Sequence, residues 1–526
     1  WNPHRVREDD RVKEVGFRDA LQSGWRWCWN PSFHEIDRPV NQEGAVSPKW
    51  ARFYTSLFAR CFASSEIMRP VIAPSSLLLA TVLSLCFAGS VTALSGVPKP
   101  NILVILIDDM GWGDVGYHNP ARHTPNIDRL AAAGVRLEQH YVASSCSPTR
   151  AAFHTGRYWS RFGCTAPSNP RVLPFDTFTL PRALKQAGYE TCLTGKWHLG
   201  SDPAWNPNVY GYDHSYGSLA GGVGPYDHRY KKGPYSNTWH RDGHLIEEKG
   251  HVTDLITNEA VNWIGERGDK PWFLYVPFTA VHIPVIEEEK WLAGTESESE
   301  LSRRHFLACL GHLDFSIGRL VEAVEKTGHQ ENTLIVFFSD NGAYPNAVNA
   351  DDKYPDAEAQ YPHGPAGGTN LPLRGQKTQI FEGGIRVPAF FYWPAKLHPG
   401  VRHFPTHVVD LMPTLCGLAG VTPPNRAKWD GHDIWPLVSG AEAVPAPRRL
   451  YWVNGGWKER AVREGDWKLI SSADGKQKQL FNLAIDPNET QDLASTQADK
   501  VASLSAALAE ESAKDKDAVP DDQEKP

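Results

Sequence analysis

The chain has 526 residues, 41% of them hydrophobic and 22% charged, with 44 Gly and 40 Pro. That is the composition of a globular protein, long enough for one large domain and a smaller one. A net charge of −7 and the lack of clustered basic stretches argue against nucleic acid as a partner.

The first legible feature begins at Met68, one of three methionines with Met110 and Met412. From there the text runs MRPVIAPSSLLLATVLSLCFAGSVTALSG: a short basic start at Arg69, an apolar run from Leu77 to Val91, then small residues at Val91-Thr92-Ala93. That order predicts a secretory signal over residues 68–93, with a run too short for a stable membrane span. A buried core helix is the competing reading, and bulky Leu85 before Cys86 speaks against a lipid anchor. Residues 1–67 crowd Trp25, Trp27 and Trp29 without clear periodicity, so they read as a non-native upstream extension. The mature protein is then secreted or periplasmic and starts near Leu94. It keeps Cys146, Cys164, Cys192, Cys309 and Cys416, an odd number that marks one thiol for a fate of its own. Spacing fixes no pairing among the others.

Next comes an apolar run, Ile102 to Ile107, which predicts a strand buried on both faces and stops at Asp108-Asp109. Ile127, Leu130 and Ala131 then fall at helical spacing, closed by Gly134. SSCSPTRAAFHTGR opens another helix, with Pro148 in its first turn and Cys146 near its cap. A helix, Gly188 and a strand over Tyr189–Thr194 come after it, and KPWFLYVPFTAVHIP and NTLIVFFSDNG hold two more buried strands. This alternation predicts an α/β fold with a mostly parallel sheet between helices, spanning residues 97–440. After Pro436 short alternating strands and a polar helix predict a small antiparallel α+β domain over 441–515, and KDKDAVPDDQEKP a disordered tail over 516–526.

Asp108 and Asp109 end one strand; Asp340 and Asn341 end another. In open parallel sheets ligands gather beyond the carboxyl ends of the strands, so the four can converge. Hard oxygen donors suit Ca²⁺ or Mg²⁺ rather than zinc. The plainer reading is that such residues cap the next turn, though adjacent carboxylates repel without a cation. Cys146 has three readings: a buried structural thiol, a thiolate activated by the helix terminus, or part of an anion site with Arg150.

Cys146-Ser147-Pro148-Thr149-Arg150 followed by Ala-Ala-Phe-His-Thr-Gly-Arg resembles the signature of the type I sulfatases. GKWHLG at 195–200, LPLRGQKTQIFEGGIRVP and LFNLAIDPNETQDLA match further blocks in the family's order, so the resemblance spans about residues 97–495. It implies an alkaline-phosphatase-like fold and oxidation of Cys146 to formylglycine by a maturation enzyme. It also implies one Ca²⁺ held by Asp108, Asp109, Asp340, Asn341 and the modified Cys146. Arg150 would hold the hydrated aldehyde, Lys196 and Lys377 the sulfate oxygens. His198 would contact the formylglycine hydroxyls and His282 would serve the leaving group. His154, on the helix, reads as a packing residue.

The expected reaction is hydrolysis of a sulfate ester on a sulfated carbohydrate or an aryl sulfate. A phosphate or phosphonate ester hydrolase on the same fold and a non-catalytic secreted glycan-binding protein are the alternatives. Within the family the closest resemblance is to the arylsulfatase B type, which includes N-acetylgalactosamine 4-sulfatases; that points to a chondroitin, dermatan-like or algal polysaccharide. Residues 200–251 and 343–371, with His363 as a possible sugar contact, are the expected substrate-choosing loops.

Overall fold

The computed structural model describes residues 99–355, 360–442 and 446–520. The export signal at 68–93 and the extension at 1–67 lie outside the described residues. The strands are β1 (Asn101–Ile107), β2 (Val135–Leu137), β3 (His140–Tyr141), β4 (Glu190–Lys196), β5 (His214–Ser218), β6 (Trp239–Arg241), β7 (His244–Leu245), β8 (Trp272–Pro277) and β9 (Thr333–Ser339). They continue with β10 (Arg386–Val387), β11 (Ala389–Tyr392), β12 (Gly400–Arg402), β13 (Thr406–His407), β14 (Arg449–Val453), β15 (Glu459–Glu464), β16 (Trp467–Ser472) and β17 (Lys478–Asn482).

Ten of them form one sheet in the order β12-β2-β11-β9-β1-β8-β4-β5-β6-β7. The five central strands, β9 to β5 in that order, are mutually parallel. Antiparallel pairs finish the edges, β11 on β9 and β6 on β5. β1 shows why the centre is buried on both sides. Ile102, Val104 and Leu106 join one hydrophobic cluster, and Leu103, Ile105 and Ile107 join the other. Each such side chain taken from water contributes about 1.5–3 kcal/mol, which is what an uninterrupted β-branched run supplies.

One face of the sheet is covered by helices Pro125–Ala133, Val252–Gly265 and Leu301–Lys326, whose Ile127, Ile256 and Leu313 enter the second cluster. The other carries helices Cys146–Thr155, Leu180–Gln186 and Leu411–Leu418. The expected substrate-choosing segment 200–251 is less of a loop than its sequence suggests, because β5, β6 and β7 extend the large sheet through it. Their short polar strands carry no apolar run, so pattern alone misses them.

The C-terminal strands β14 to β17 form an antiparallel four-stranded sheet followed by helix Ala498–Ser512, as the sequence predicts. It shares a core with the large sheet: Leu450, Trp452, Val462 and Leu480 sit in the same cluster as Phe153. Trp452 Nε1 donates to the Val142 carbonyl, and Trp159 Nε1 to that of Val453, each at 3.0 Å. All described residues belong to one compact unit. The start of the expected tail is tied down within it. Lys516 N donates to Ser160 O, Ala518 N to Arg161 O, and Arg157 pairs with Asp517 at 2.7 Å. Among the described residues no helix is long and apolar enough to cross a membrane.

Candidate active site

The strand order places the site. β9, β1, β8 and β4 are adjacent and parallel, so the residues just past their carboxyl ends converge above the sheet. β9 delivers Asp340 and Asn341, β1 delivers Asp108 and Asp109, β8 leads to His282, and β4 ends in Lys196 two residues before His198. The Cys146–Thr155 helix points its first residue at them, with Ser145 as an extended N-cap. The backbone turns sharply here: Asp109, His198 and Thr378 take left-handed φ values of 64°, 59° and 75°. Such conformations cost on the order of 1–3 kcal/mol and collect at functional sites. Close approach of β4 to the end of β8 requires Gly195, whose φ is 136° and whose Cβ would stand 2.1 Å from the Pro277 carbonyl oxygen.

Charges interlock through this cluster. Lys196 Nζ lies 2.6 Å from Asp108 Oδ2, both fully buried. Arg150 donates to Asp340 Oδ2 from Nη2 at 2.7 Å and from Nε at 3.2 Å, and from Nη1 to the Lys196 carbonyl at 2.7 Å. Lys377 Nζ is 2.6 Å from Asp109 Oδ1. Asn341 Nδ2 donates to the same oxygen at 2.7 Å, while its Oδ1 is buried without a partner. The Cys146 thiol donates to Asp108 Oδ1 at 3.3 Å. Thr149, which the sequence did not single out, accepts from Ala143 N and donates to the Asp340 carbonyl at 2.6 Å, fixing the helix to the end of β9.

Burial and neighbouring charges set the protonation states. Burial works against ionised Asp108, but Lys196, His282, Arg150 and Lys377 outweigh it and hold its carboxyl far below the usual range. Asp340 is pushed up to about 6 by burial and by Asp108, against the pull of Arg150. Burial, then Asp108 and Asp340, push the Cys146 thiol far up. That leaves a thiol rather than a thiolate, so the unmodified residue is a poor nucleophile. Burial and the nearby Lys196 and Arg150 keep His198 neutral, with both ring nitrogens unpartnered. Burial and Lys377 lower His282 to about 4; its Nε2 faces Asp109 Oδ2 at 3.7 Å.

Asp109, Cys146, His198, His282 and Lys377 line one cavity of about 310 Å³. Asp108, Arg150, Lys196, Asp340 and Asn341 form its floor out of contact with solvent. The structure thus brings together every site residue expected from the sequence. His154 does pack: its Nδ1 meets the Arg150 carbonyl at 2.7 Å and its Nε2 the Tyr212 hydroxyl at 2.9 Å. His363 is exposed and outside the cavity lining. Tyr230, Tyr344 and Gly222 do line it. Gly222 offers a signal only in three dimensions, since a Cβ there would lie 2.6 Å from His282 Nδ1. All five cysteines among the described residues are free and buried.

The donor set fits a hard cation. One ligand atom each from Asp108, Asp109, Cys146 and Asp340 lies within 4.8 Å of the others. The unpartnered Asn341 Oδ1 adds a neutral oxygen donor beside them.

A family model described as Sulfatase matches residues 100–421. Arylsulfatase J of Mus musculus is 32% identical over 464 residues, covering 76% of this chain and 74% of its own. N-acetylgalactosamine-6-sulfatase of Canis lupus familiaris is 34% identical over 410 residues, covering 73% and 74%. The crystal structure of Ps i-CgsB in complex with k-i-k-neocarrahexaose superposes with a TM-score of 0.70 at 29% identity, covering 80% of this chain and 95% of that one. The architecture is therefore the expected alkaline-phosphatase-like α/β fold. The names bear out the arylsulfatase and N-acetylgalactosamine-sulfatase likeness, and not the 4-position in particular. The chain belongs to the sulfatase family and is a sulfuric ester hydrolase.

Proposed function

We propose that the protein removes sulfate from a sulfated sugar, with Cys146 matured to formylglycine by a dedicated enzyme and one Ca²⁺ at the acidic floor. The observation that carries this is the place of Cys146: first residue of a helix, on the floor of the cavity, 3.3 Å from Asp108 and sharing the lining with Lys377, His198 and His282. Its Sγ stands in for the oxygens of the aldehyde hydrate. Once formed, that hydrate supplies a hydroxyl to attack sulfur and a second hydroxyl whose deprotonation releases sulfate, which a serine lacks. Asp108, Asp109, Asp340 and Asn341 would hold Ca²⁺, which supplies positive charge for the sulfate oxygens.

The chain's own residues divide the remaining work. Lys377 reaches the cavity and binds a sulfate oxygen. Lys196, fully buried against Asp108, adds positive field from below and joins in holding sulfate. Arg150, clamped by Asp340 and the Lys196 carbonyl, orients the modified residue from the floor. His198 has both ring nitrogens free of protein partners, and so can take a proton from a hydroxyl at position 146. His282, which lines the same cavity, serves the departing alcohol. Export from the cell through the segment starting at Met68 belongs to the same reading.

The test joins chemistry to turnover. Protein made in a host that matures sulfatases is digested, and the peptide Leu137–Arg150 is weighed for the aldehyde. In parallel, release from an aryl sulfate and the matching aryl phosphate is followed with Ca²⁺. Aldehyde with a strong sulfate preference is the expected result. A persistent thiol beside a converted control sulfatase, or preference for phosphate, overturns the reading.

A further inference from the structure

Above the floor, the cavity carries charge that the proposed chemistry does not use. Lys231 and Lys353 line it together with Tyr344 and Asp351. They come from two separate segments joined edge to edge: Lys232 N donates to the Lys353 carbonyl at 2.7 Å. Lys231 is half-buried, its Nζ 5.8 Å from the ring centre of Tyr230 and 5.9 Å from that of Tyr354. Burial lowers its pKa, and Lys353, Lys377 and Lys196 lower it further against the pull of Asp351. In this part of the cavity wall two lysines, Lys231 and Lys353, face one carboxylate, Asp351, so the wall carries a net positive charge. Tyr344, 42% exposed, offers a flat apolar ring face beside it, the surface on which a pyranose rests while its substituents reach polar groups.

We propose that Lys231 and Lys353, which line the cavity with Tyr344, form a subsite for a second anionic group on the sugar next to the one that loses sulfate. The substrate class is then a polyanionic glycan rather than an isolated sulfated sugar. The group is a carboxylate or a sulfate, both of which present paired oxygens to an ammonium. This deepens the sulfatase reading and rests on it. The two lysines make no contact with Cys146 among the hydrogen bonds and ion pairs of the site, so they act on KM more than on kcat. Each partly exposed lysine–anion contact is worth up to about fivefold, so the two together give roughly tenfold in affinity.

The test uses three probes: a disaccharide of 6-O-sulfated N-acetylgalactosamine and a hexuronic acid, its carboxyl-reduced counterpart, and a disulfated neutral galactan disaccharide. The wild-type KM for the better of the two anionic probes should be about tenfold below that for the carboxyl-reduced one. Which anionic probe wins tells carboxylate from sulfate. The ratio should collapse toward one in Lys231→Ala with Lys353→Ala, widen in Asp351→Asn, and stay put in Lys232→Ala, whose Nζ is on the Asp352 carbonyl. A wild type without preference, or a double variant that loses all three probes equally, overturns the subsite. Calorimetric titration of Cys146→Ala with the same probes separates the two readings. Preferential binding of an anionic probe by protein that releases no sulfate in wild-type form sinks the sulfatase chemistry and keeps the subsite. Equal binding of all probes sinks the subsite alone.

Discussion

Lys468, on β16 of the C-terminal sheet, places its Nζ 3.0 Å from Glu382 Oε1 and 2.9 Å from Glu489 Oε1. Glu382 Oε2 accepts from the Tyr141 hydroxyl at 2.7 Å, and Glu489 Oε2 from the Glu382 backbone N at 2.6 Å. Three of the four carboxylate oxygens there have a hydrogen-bond donor, and the fourth, Glu489 Oε1, is matched to Lys468 as an ion pair only. The active-site cluster is built from the same kinds of group, three cations against three carboxylates, with Lys377 and Asp109 each 11% exposed toward the cavity. Yet it leaves Asn341 Oδ1 and both His198 nitrogens without partners, and a cavity opens over it. An unmet buried polar group costs about 1–3 kcal/mol. The first cluster ties β16 of the C-terminal sheet to the Glu382–Ile385 segment and to Tyr141 of β3; the second leaves several polar atoms unpartnered beside a cavity.

Crossed substitutions test that contrast. The largest effect belongs to Cys146→Ala, which should lower turnover by at least about 10³-fold while leaving thermal stability within roughly 1 kcal/mol. Turnover like wild type after matched purification would remove Cys146 from the chemistry. Lys468→Ala should do the reverse, costing about 3–5 kcal/mol by stranding two buried carboxylates, with activity per folded molecule kept. Denaturant melts read the loss, and a stability unchanged from wild type would show that the cluster is not structural. Asn341→Ala should cut turnover on the order of 10²-fold and raise the Ca²⁺ concentration needed for half-activity, with little or no loss of stability. Loss of stability without a change in Ca²⁺ response would assign Asn341 to the fold.

The smallest effect concerns a third buried cluster. His312 lies between Glu287 Oε2 at 2.8 Å and Asp254 Oδ1 at 3.3 Å, with Trp291 stacked on its ring. Burial opposes its charge, but Asp254 and Glu287 outweigh it and raise its pKa from 6.5 to about 9. A raised folded-state pKa contributes stability that is fully present below pH 6.5 and lost as pH rises through 9. The loss should be on the order of 1–3 kcal/mol. Melting temperature should fall across that window in wild type and stay flatter in His312→Gln. Equal slopes in the two proteins would show that the imidazole is not held charged.

Much of the site was readable because its residues sit in short contiguous blocks. A buried strand announces itself by an unbroken apolar run, and β1 and β9 each end in acidic or amide residues that a core strand has no reason to carry. Cys146 and Arg150 fall one helical turn apart, which puts both on one face. Other parts stayed hidden. Tyr230, Gly222, Lys231 and Lys353 belong to polar segments without period, so nothing along the chain joins them to Cys146. β5 to β7 escaped for the same reason, as did the bond from Thr149 to Asp340, 191 positions away.

By itself the sequence determined the α/β alternation and the antiparallel C-terminal sheet, and its motifs, through the family resemblance, pointed to ten candidate residues that the structure gathers at one place, because periodicity and local motif are properties of neighbours along the chain. The tertiary structure decided the rest. It set which strands lie side by side, and so which strand ends meet. It merged the C-terminal sheet into the core of the large one, and it determined which buried polar groups are satisfied and which are left unpartnered. Those are properties of neighbours in space, fixed only when the sheet order is.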